Sequence, residues 1–102
     1  MHPPEILALD LSGYTGKAGQ AIRIQARDDV KVERVSVAIT DANQQMVEQG
    51  LAIADTAEVW WTFSTVADCP TATVLVTVRV EDLPGNRVER VTTHRLSTEG
   101  VV

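Results

Sequence analysis

In Val74-Leu75-Val76-Thr77-Val78-Arg79-Val80 a valine occupies every second position. Successive side chains of a β-strand point to opposite faces of the sheet, so this period of two predicts a strand with one face in a hydrophobic core. Residues 22–26 and 35–39 alternate in the same way and predict two further strands. The β-branched residues Val, Ile and Thr account for 31 of the 102 residues, which also favours strands over helices.

Four less regular segments complete the predicted set of strands: residues 6–11, 46–53, 59–63 and 87 to about 96. In the last of them Val88 and Val91 lie three positions apart, which predicts either a β-bulge or a partly exposed edge. About seven short strands with turn residues between them, and no segment of helical period, predict an all-β, immunoglobulin-like antiparallel β-sandwich. A small barrel is the alternative.

Length and composition limit the class of protein. We expect one domain over residues 1–102, with an ordered core over about 5–96. The net charge of −5 disfavours binding to nucleic acid or to an anionic membrane surface. The apolar runs are too short for a membrane-spanning helix. The first residues lack the pattern of a signal peptide, so we expect either an intracellular protein or a piece of a longer chain. A single cysteine, Cys69, cannot form an internal disulfide.

Two parts of the chain carry a family resemblance. Residues 19–39 contain an alternating strand, the pair Asp28-Asp29 and a second alternating strand, and residues 74–86 run from the valine strand through Glu81-Asp82 to a turn with Gly85-Asn86. Both patterns resemble the bacterial immunoglobulin-like (Big-type) domains. The resemblance covers about residues 19–93, and it departs from the family in the loops 41–45 and 67–71.

What this resemblance implies is a fold more than a function. Members of the family occur as modules of larger bacterial surface or secreted proteins, where they act as spacers, adhesin stalks or accessory domains of polysaccharide-degrading enzymes. The resemblance therefore implies an extracellular or cell-envelope location, with neighbouring domains or a protein as partners.

Catalysis needs a nucleophile or an acid–base pair held beside a matched partner. The two histidines, His2 and His94, have no evident partner in the sequence, and Cys69 lacks a Cys–His pairing signature. No serine lies in a Gly-x-Ser-x-Gly motif. We therefore expect that the protein is not an enzyme.

One pole of the predicted sandwich gathers oxygen-bearing side chains, because the loop after the second strand and the loop before the last strand emerge at the same end. These side chains are Asp28, Asp29, Glu81, Asp82 and Asn86. Ca²⁺ takes roughly six to eight oxygen ligands, so the pole is a candidate calcium site. Asp and Asn also favour turns, and the Asp-x-Asp-x-Asp-Gly loop is absent, so turn chemistry is the favoured interpretation. No cofactor other than this calcium is expected.

Trp60 and Trp61 are neighbours, so on a strand one faces the core and the other faces outward. Val59, Trp61 and Phe63 share the more apolar face, which leaves Trp60 on the outer one. An outward tryptophan can stack against a sugar ring or anchor a protein contact, and Tyr14 is the remaining aromatic residue available to accompany it. The alternative is that Trp60 packs against a neighbouring loop or chain end.

The function expected from the sequence is a noncatalytic immunoglobulin-like module, which spaces or presents other domains of a larger bacterial protein. The alternative is a binding module, for carbohydrate through Trp60 and Tyr14 or for a protein partner through Trp60 or an exposed edge strand. The predicted core consists of Ile22, Ile24, Val35, Val37, Ile39, Trp61, Phe63, Val74, Val76 and Val78.

Overall fold

The computed structural model describes residues 4–27, 32–56, 59–69, 71–82 and 85–96. Within these ranges the chain forms strands and no helix, which confirms the all-β class. The strands are β1 (Glu5–Asp10), β2 (Ala21–Arg27), β3 (Val32–Asp41), β4 (Met46–Leu51), β5 (Ile53–Ala54), β6 (Trp60–Ser64), β7 (Thr73–Asp82) and β8 (Arg87–Arg95). A search of this described part finds no helix long and apolar enough to cross a membrane.

The strands form two four-stranded sheets, one in the order β1-β2-β6-β5 and the other in the order β4-β3-β7-β8. All neighbouring strands are antiparallel, and the two sheets form a sandwich, which confirms the predicted architecture. The segment 46–53, expected as one strand, divides at Ala52. There the backbone N–H of Ala52 donates to the Val35 carbonyl oxygen at 2.8 Å while the chain passes from one sheet to the other.

The ten predicted core residues are all buried between the two sheets. Strand β7 lies between β3 and β8 in its sheet, and its valines at 74, 76, 78 and 80 all face the other sheet. Burial of these apolar faces is the main stabilising contribution available to a chain without a disulfide. Five further apolar residues join the core: Ile6, Tyr14, Ala26, Val80 and Leu96.

Strand β8 is an edge strand without a bulge. Its pairing with β7 runs in continuous register from Arg95 opposite Thr73 to Arg87 opposite Glu81. Val88 faces inward and is half-buried, whereas Val91 faces outward and is 56% exposed. Of the two explanations offered for the spacing of these valines, the exposed edge is therefore the one that the structure adopts.

Candidate functional site

The loops at one end of the sandwich bring together the chemically active side chains of the described residues. We call this end the Tyr14 end and define it by Tyr14, Glu48, Cys69 and His94. Tyr14 lies in the β1–β2 loop, Cys69 follows β6, and His94 lies near the end of β8. Glu48 belongs to this end because it holds the loop that follows β6.

Tyr14 is buried in the core and only 1% exposed. Its backbone N–H donates to the Leu11 carbonyl oxygen at 3.0 Å, but its side-chain hydroxyl has no hydrogen-bond partner among the described residues. Burial, together with the nearby acidic groups of Cys69 and Glu48, raises the pKa of the Tyr14 hydroxyl to about 12. The Tyr14 hydroxyl is therefore a neutral, unpaired polar group inside the sandwich.

The ring of His94, near the end of β8, lies against the ring of Tyr14. The two rings are stacked with centroids 6.1 Å apart and an interplanar angle of 29°. The Nε2 atom of His94 lies 3.0 Å from the backbone carbonyl oxygen of Tyr14. Because a carbonyl oxygen can only accept, Nε2 carries the hydrogen, and in the neutral imidazole the lone pair is then on Nδ1.

Cys69 is half-buried beside the β1–β2 loop. Its backbone N–H donates to the Gly16 carbonyl oxygen at 2.7 Å, which ties the loop after β6 to the loop after β1. Its Sγ atom lies 3.7 Å from the carbonyl oxygen and 3.6 Å from the hydroxyl oxygen of Thr71. The thiol therefore has weak polar contacts and, within the described part of the chain, no histidine as a hydrogen-bond partner.

Glu48 is a buried carboxylate that the sequence analysis did not single out. Its Oε1 accepts from the backbone N–H of Val66 at 3.0 Å, and its Oε2 accepts from that of Ala67 at 3.2 Å. Two backbone donors compensate much of the cost of burying the charge. Glu48 lies opposite the buried Ile39, and the residues 46–51 do not alternate in a way that predicts an inward carboxylate.

The described residues do not supply a complete metal centre. No group of three or more His, Cys, Asp or Glu side chains among them is close enough to hold a metal ion. At the Tyr14 end, the carboxylate of Glu48 is occupied by backbone donors, which leaves the imidazole nitrogen of His94 and the sulfur of Cys69 as candidate metal ligands. A site built here would need at least one further ligand.

At the opposite pole, Asp82 and Asn86 form a turn with each other. Asp82 Oδ1 accepts from the backbone N–H of Asn86 at 2.6 Å, and Oδ2 accepts from its side-chain amide at 3.1 Å. Glu81 lies 3.6 Å from the Arg34 guanidinium. Asp28 and Asp29 lie outside the described residues. The carboxylates described at this pole are therefore occupied by turn and ion-pair contacts.

Trp60 and Tyr14 do not form a common platform. Trp60 faces outward and is half-buried, and the Arg23 guanidinium carbon lies 4.6 Å from the centroid of its ring. One face of the indole is therefore covered by a cation–π contact. Tyr14, expected at the surface beside it, is instead in the core and cannot present its ring to a ligand there.

No family model matches the sequence, and no curated protein sequence matches it. The fold is similar to the crystal structure of CopC from Methylosinus trichosporium OB3b. The TM-score is 0.64 at 18% sequence identity, and the alignment covers 88% of this chain and 89% of that chain. At this identity the likeness establishes the fold, a small β-sandwich of the immunoglobulin-like type.

This comparison corrects two expectations. CopC is a copper-binding periplasmic protein. The expected spacer function was inferred from the fold, and the same fold serves metal binding in CopC, so the prediction of a noncatalytic spacer or presentation module is wrong. The prediction of no cofactor other than calcium is wrong for the same reason, because the protein that shares this fold takes copper.

Proposed function

We propose that this chain is a small copper-binding protein of a bacterial envelope compartment, built on the sandwich that it shares with CopC. The observation that carries the proposal is the match of nearly the whole of both chains at a TM-score of 0.64. The match covers 88% of this chain and 89% of the CopC chain. The envelope location belongs to the proposal because CopC is periplasmic.

The donors that support copper binding lie at the Tyr14 end. Imidazole and thiolate are ligands that copper favours, and His94 offers the lone pair of Nδ1 while Cys69 offers a thiol with weak contacts only. These two side chains do not complete a centre by themselves. The chain has one other imidazole, that of His2, which lies outside the described residues. We propose that any copper site uses at least one of the two histidines.

No reaction step is part of this proposal. Among the described residues Cys69 has no histidine as a hydrogen-bond partner, and the hydrogen-bonded contact of His94 is a carbonyl oxygen. An acid–base or nucleophilic mechanism requires such partners. We also propose that the chain is one domain and a divergent member of the bacterial immunoglobulin-like family, on the strength of the motifs in residues 19–39 and 74–86.

The test is a titration of the metal-free protein with Cu(II) by calorimetry and electron paramagnetic resonance, and with Cu(I) against a chromophoric chelator without oxygen. We expect one copper per chain, with nitrogen hyperfine structure in the Cu(II) spectrum. Copper that binds the folded state alone should also raise the melting temperature. Failure of both oxidation states to bind at micromolar concentration would refute the proposal.

Three single variants locate the site: His94→Ala, His2→Ala and Cys69→Ser. Loss of binding in either histidine variant supports the proposal, and loss in the cysteine variant alone, with Cu(I), would assign the site to the thiol and contradict the histidine assignment. The matched control is Glu81→Gln, which alters a carboxylate at the opposite pole and should leave the copper titration unchanged.

A further inference from the structure

The sandwich has a cavity between its two sheets on the side where β4 passes into β5. Its volume is about 400 Å³, and its walls come from the start of β3, from residues 51–54 and from β6. On the opposite lateral side, the Arg90 guanidinium donates to the Ile6 carbonyl oxygen at 3.3 Å and connects β8 to β1. Small-molecule sites in proteins commonly have volumes of about 300–1,000 Å³, so this cavity is large enough for a small ligand.

The cavity exists because the chain has small side chains where it passes from one sheet to the other. Ala52 and Ala54 both line it, and both pack against the core. The backbone here is fixed, since the Ala52 N–H donates to the Val35 carbonyl oxygen at 2.8 Å and Ala54 pairs with Trp61 in the sheet. A leucine at either position would extend into the space that a methyl group leaves empty.

The other walls of the cavity are mostly apolar. Trp61 is buried and forms part of the wall, while Leu51 and Ile53 line the cavity and are 62% and 76% exposed. An aromatic ring or a short hydrocarbon chain placed here would lose contact with water against the indole and these aliphatic groups, which favours binding.

The charged groups of the cavity belong to the start of β3. Glu33 and Arg34 both line it. The Arg34 Nε atom lies 3.6 Å from Glu81 Oε1, so the positive charge of Arg34 already faces a carboxylate. Glu33 is exposed and forms no salt bridge with another described residue. The net charge of −5 adds to the attraction of a cation toward this carboxylate.

We propose that this cavity binds a small organic cation, an amine with an apolar ring or short chain. The apolar part lies against Trp61 beside Ala52 and Ala54, and the ammonium group faces the Glu33 carboxylate. An anion of the same shape is disfavoured, because its carboxylate would meet Glu33 and would compete with Glu81 for Arg34.

The test is a titration of the metal-free protein with phenylethylamine, which is protonated at neutral pH, followed in proton–nitrogen correlation spectra. We expect a saturable shift of the Trp61 indole N–H and of the Ala52 and Ala54 amides; Trp60→Phe assigns the indole signal. A ligand of this size should bind with a dissociation constant of about 0.1–10 mM. Phenylpropionate, of similar shape and opposite charge, should bind about threefold more weakly or worse, which is the size of an exposed ion-pair effect.

Two variants fill the cavity, Ala54→Leu and Ala52→Leu. Each should remove the saturable shift without lowering the melting temperature, because a side chain that fills a cavity usually adds stability. The second variant decides the question if the first does not fold. Glu33→Gln should remove the preference for the amine over phenylpropionate. Its matched control is Glu5→Gln, which alters an exposed carboxylate on β1 and should leave that preference unchanged.

Three results would overturn the proposal: no saturable shift of the Trp61 indole at about 10 mM amine, tighter binding of phenylpropionate, or an undiminished shift in the cavity-filling variants. The first would show that the cavity takes no such cation, the second that Arg34 selects an anion, and the third that the amine binds elsewhere. The cavity shares no residue with the Tyr14 end, so each of these results is independent of the copper titration.

Discussion

Replacement of Tyr14 by phenylalanine should stabilise the protein, although it removes a polar group from a natural core. The Tyr14 hydroxyl is buried without a hydrogen-bond partner among the described residues. An unsatisfied buried polar group costs about 1–3 kcal/mol, and its removal leaves a void no larger than one oxygen atom. We expect Tyr14→Phe to raise the free energy of unfolding by about 1–2 kcal/mol. The contacts of the Tyr14 backbone with Leu11 and His94 are unaffected.

Thermal and urea unfolding provide the measurement. In a domain of this size each kcal/mol corresponds to roughly 4–8 °C in melting temperature. Tyr14→Leu is the control, because it also removes the hydroxyl but loses the ring that packs against His94, and it should destabilise the protein. A Tyr14→Phe variant less stable than the natural protein by more than about 1 kcal/mol would refute the reasoning, because the hydroxyl would then have a partner that stabilises the fold.

The same hydroxyl predicts a loss of stability at alkaline pH. The folded-state pKa of Tyr14 is about 12, above the ordinary value of 10.0, because burial disfavours the phenolate. The raised pKa does not affect stability below pH 10, where the folded and the unfolded chain both hold the Tyr14 proton. The free energy of unfolding decreases as the pH rises from 10 toward 12, because the unfolded chain releases the Tyr14 proton first. Unfolding measured between pH 9 and pH 12 should therefore show a steeper decline for the natural protein than for Tyr14→Phe.

Three further outcomes are expected from the contacts described above. Gly16→Ala should destabilise the fold by about 1–3 kcal/mol, because Gly16 has φ +90° and a Cβ there would lie 2.6 Å from Leu96 Cδ1. Gly19→Ala is the matched control: Gly19 has φ +81°, but a Cβ there would have no atom within 4 Å, so the variant should lose about 1 kcal/mol in the same thermal assay. Glu48→Gln should cost about 1–3 kcal/mol, because an amide N–H would oppose the N–H of Val66 or Ala67, and hydrogen exchange should show the loop after β6 opening more often. Trp60→Ala should lower the free energy of unfolding by about 1 kcal/mol or less, because the half-buried indole contributes mainly its cation–π contact with Arg23. A larger loss in urea unfolding would identify Trp60 as a packing residue and would contradict a ligand platform.

Much of the fold was predictable because buried and exposed side chains alternate along a β-strand. The faces of β2, β3, β6 and β7 followed directly from the period of two, and so did the choice of Trp61 over Trp60 for the core. The pattern was weaker in residues 46–53, where the chain leaves one sheet for the other at Ala52. A strand that changes partners has no single buried face, so its division into β4 and β5 left no periodic signal.

The candidate site was much less predictable than the core. Tyr14 belongs to a loop, where alternation of polar and apolar residues does not predict which side chains are buried. Its burial depends on β8, which places the ring of His94 against the ring of Tyr14. Glu48 reads in the sequence as an ordinary surface carboxylate. Its inward position depends on a register shift between Ile39 and Thr40, opposite the start of β4, and on backbone donors that lie 18 and 19 residues further along the chain.

The amino-acid sequence alone predicts the class of fold, most of the residues that face the core and the absence of an internal disulfide. These properties depend on local alternation and on composition, which the chain carries without reference to its partners. Only the folded arrangement shows that Arg90 and His94 connect the β1–β8 side, whereas the β4–β5 side has an opening lined by Leu51, Ile53 and Trp61 together with Glu33 and Arg34. Those features arise from contacts between segments as many as 84 residues apart, and such contacts exist only after the strands have chosen their neighbours.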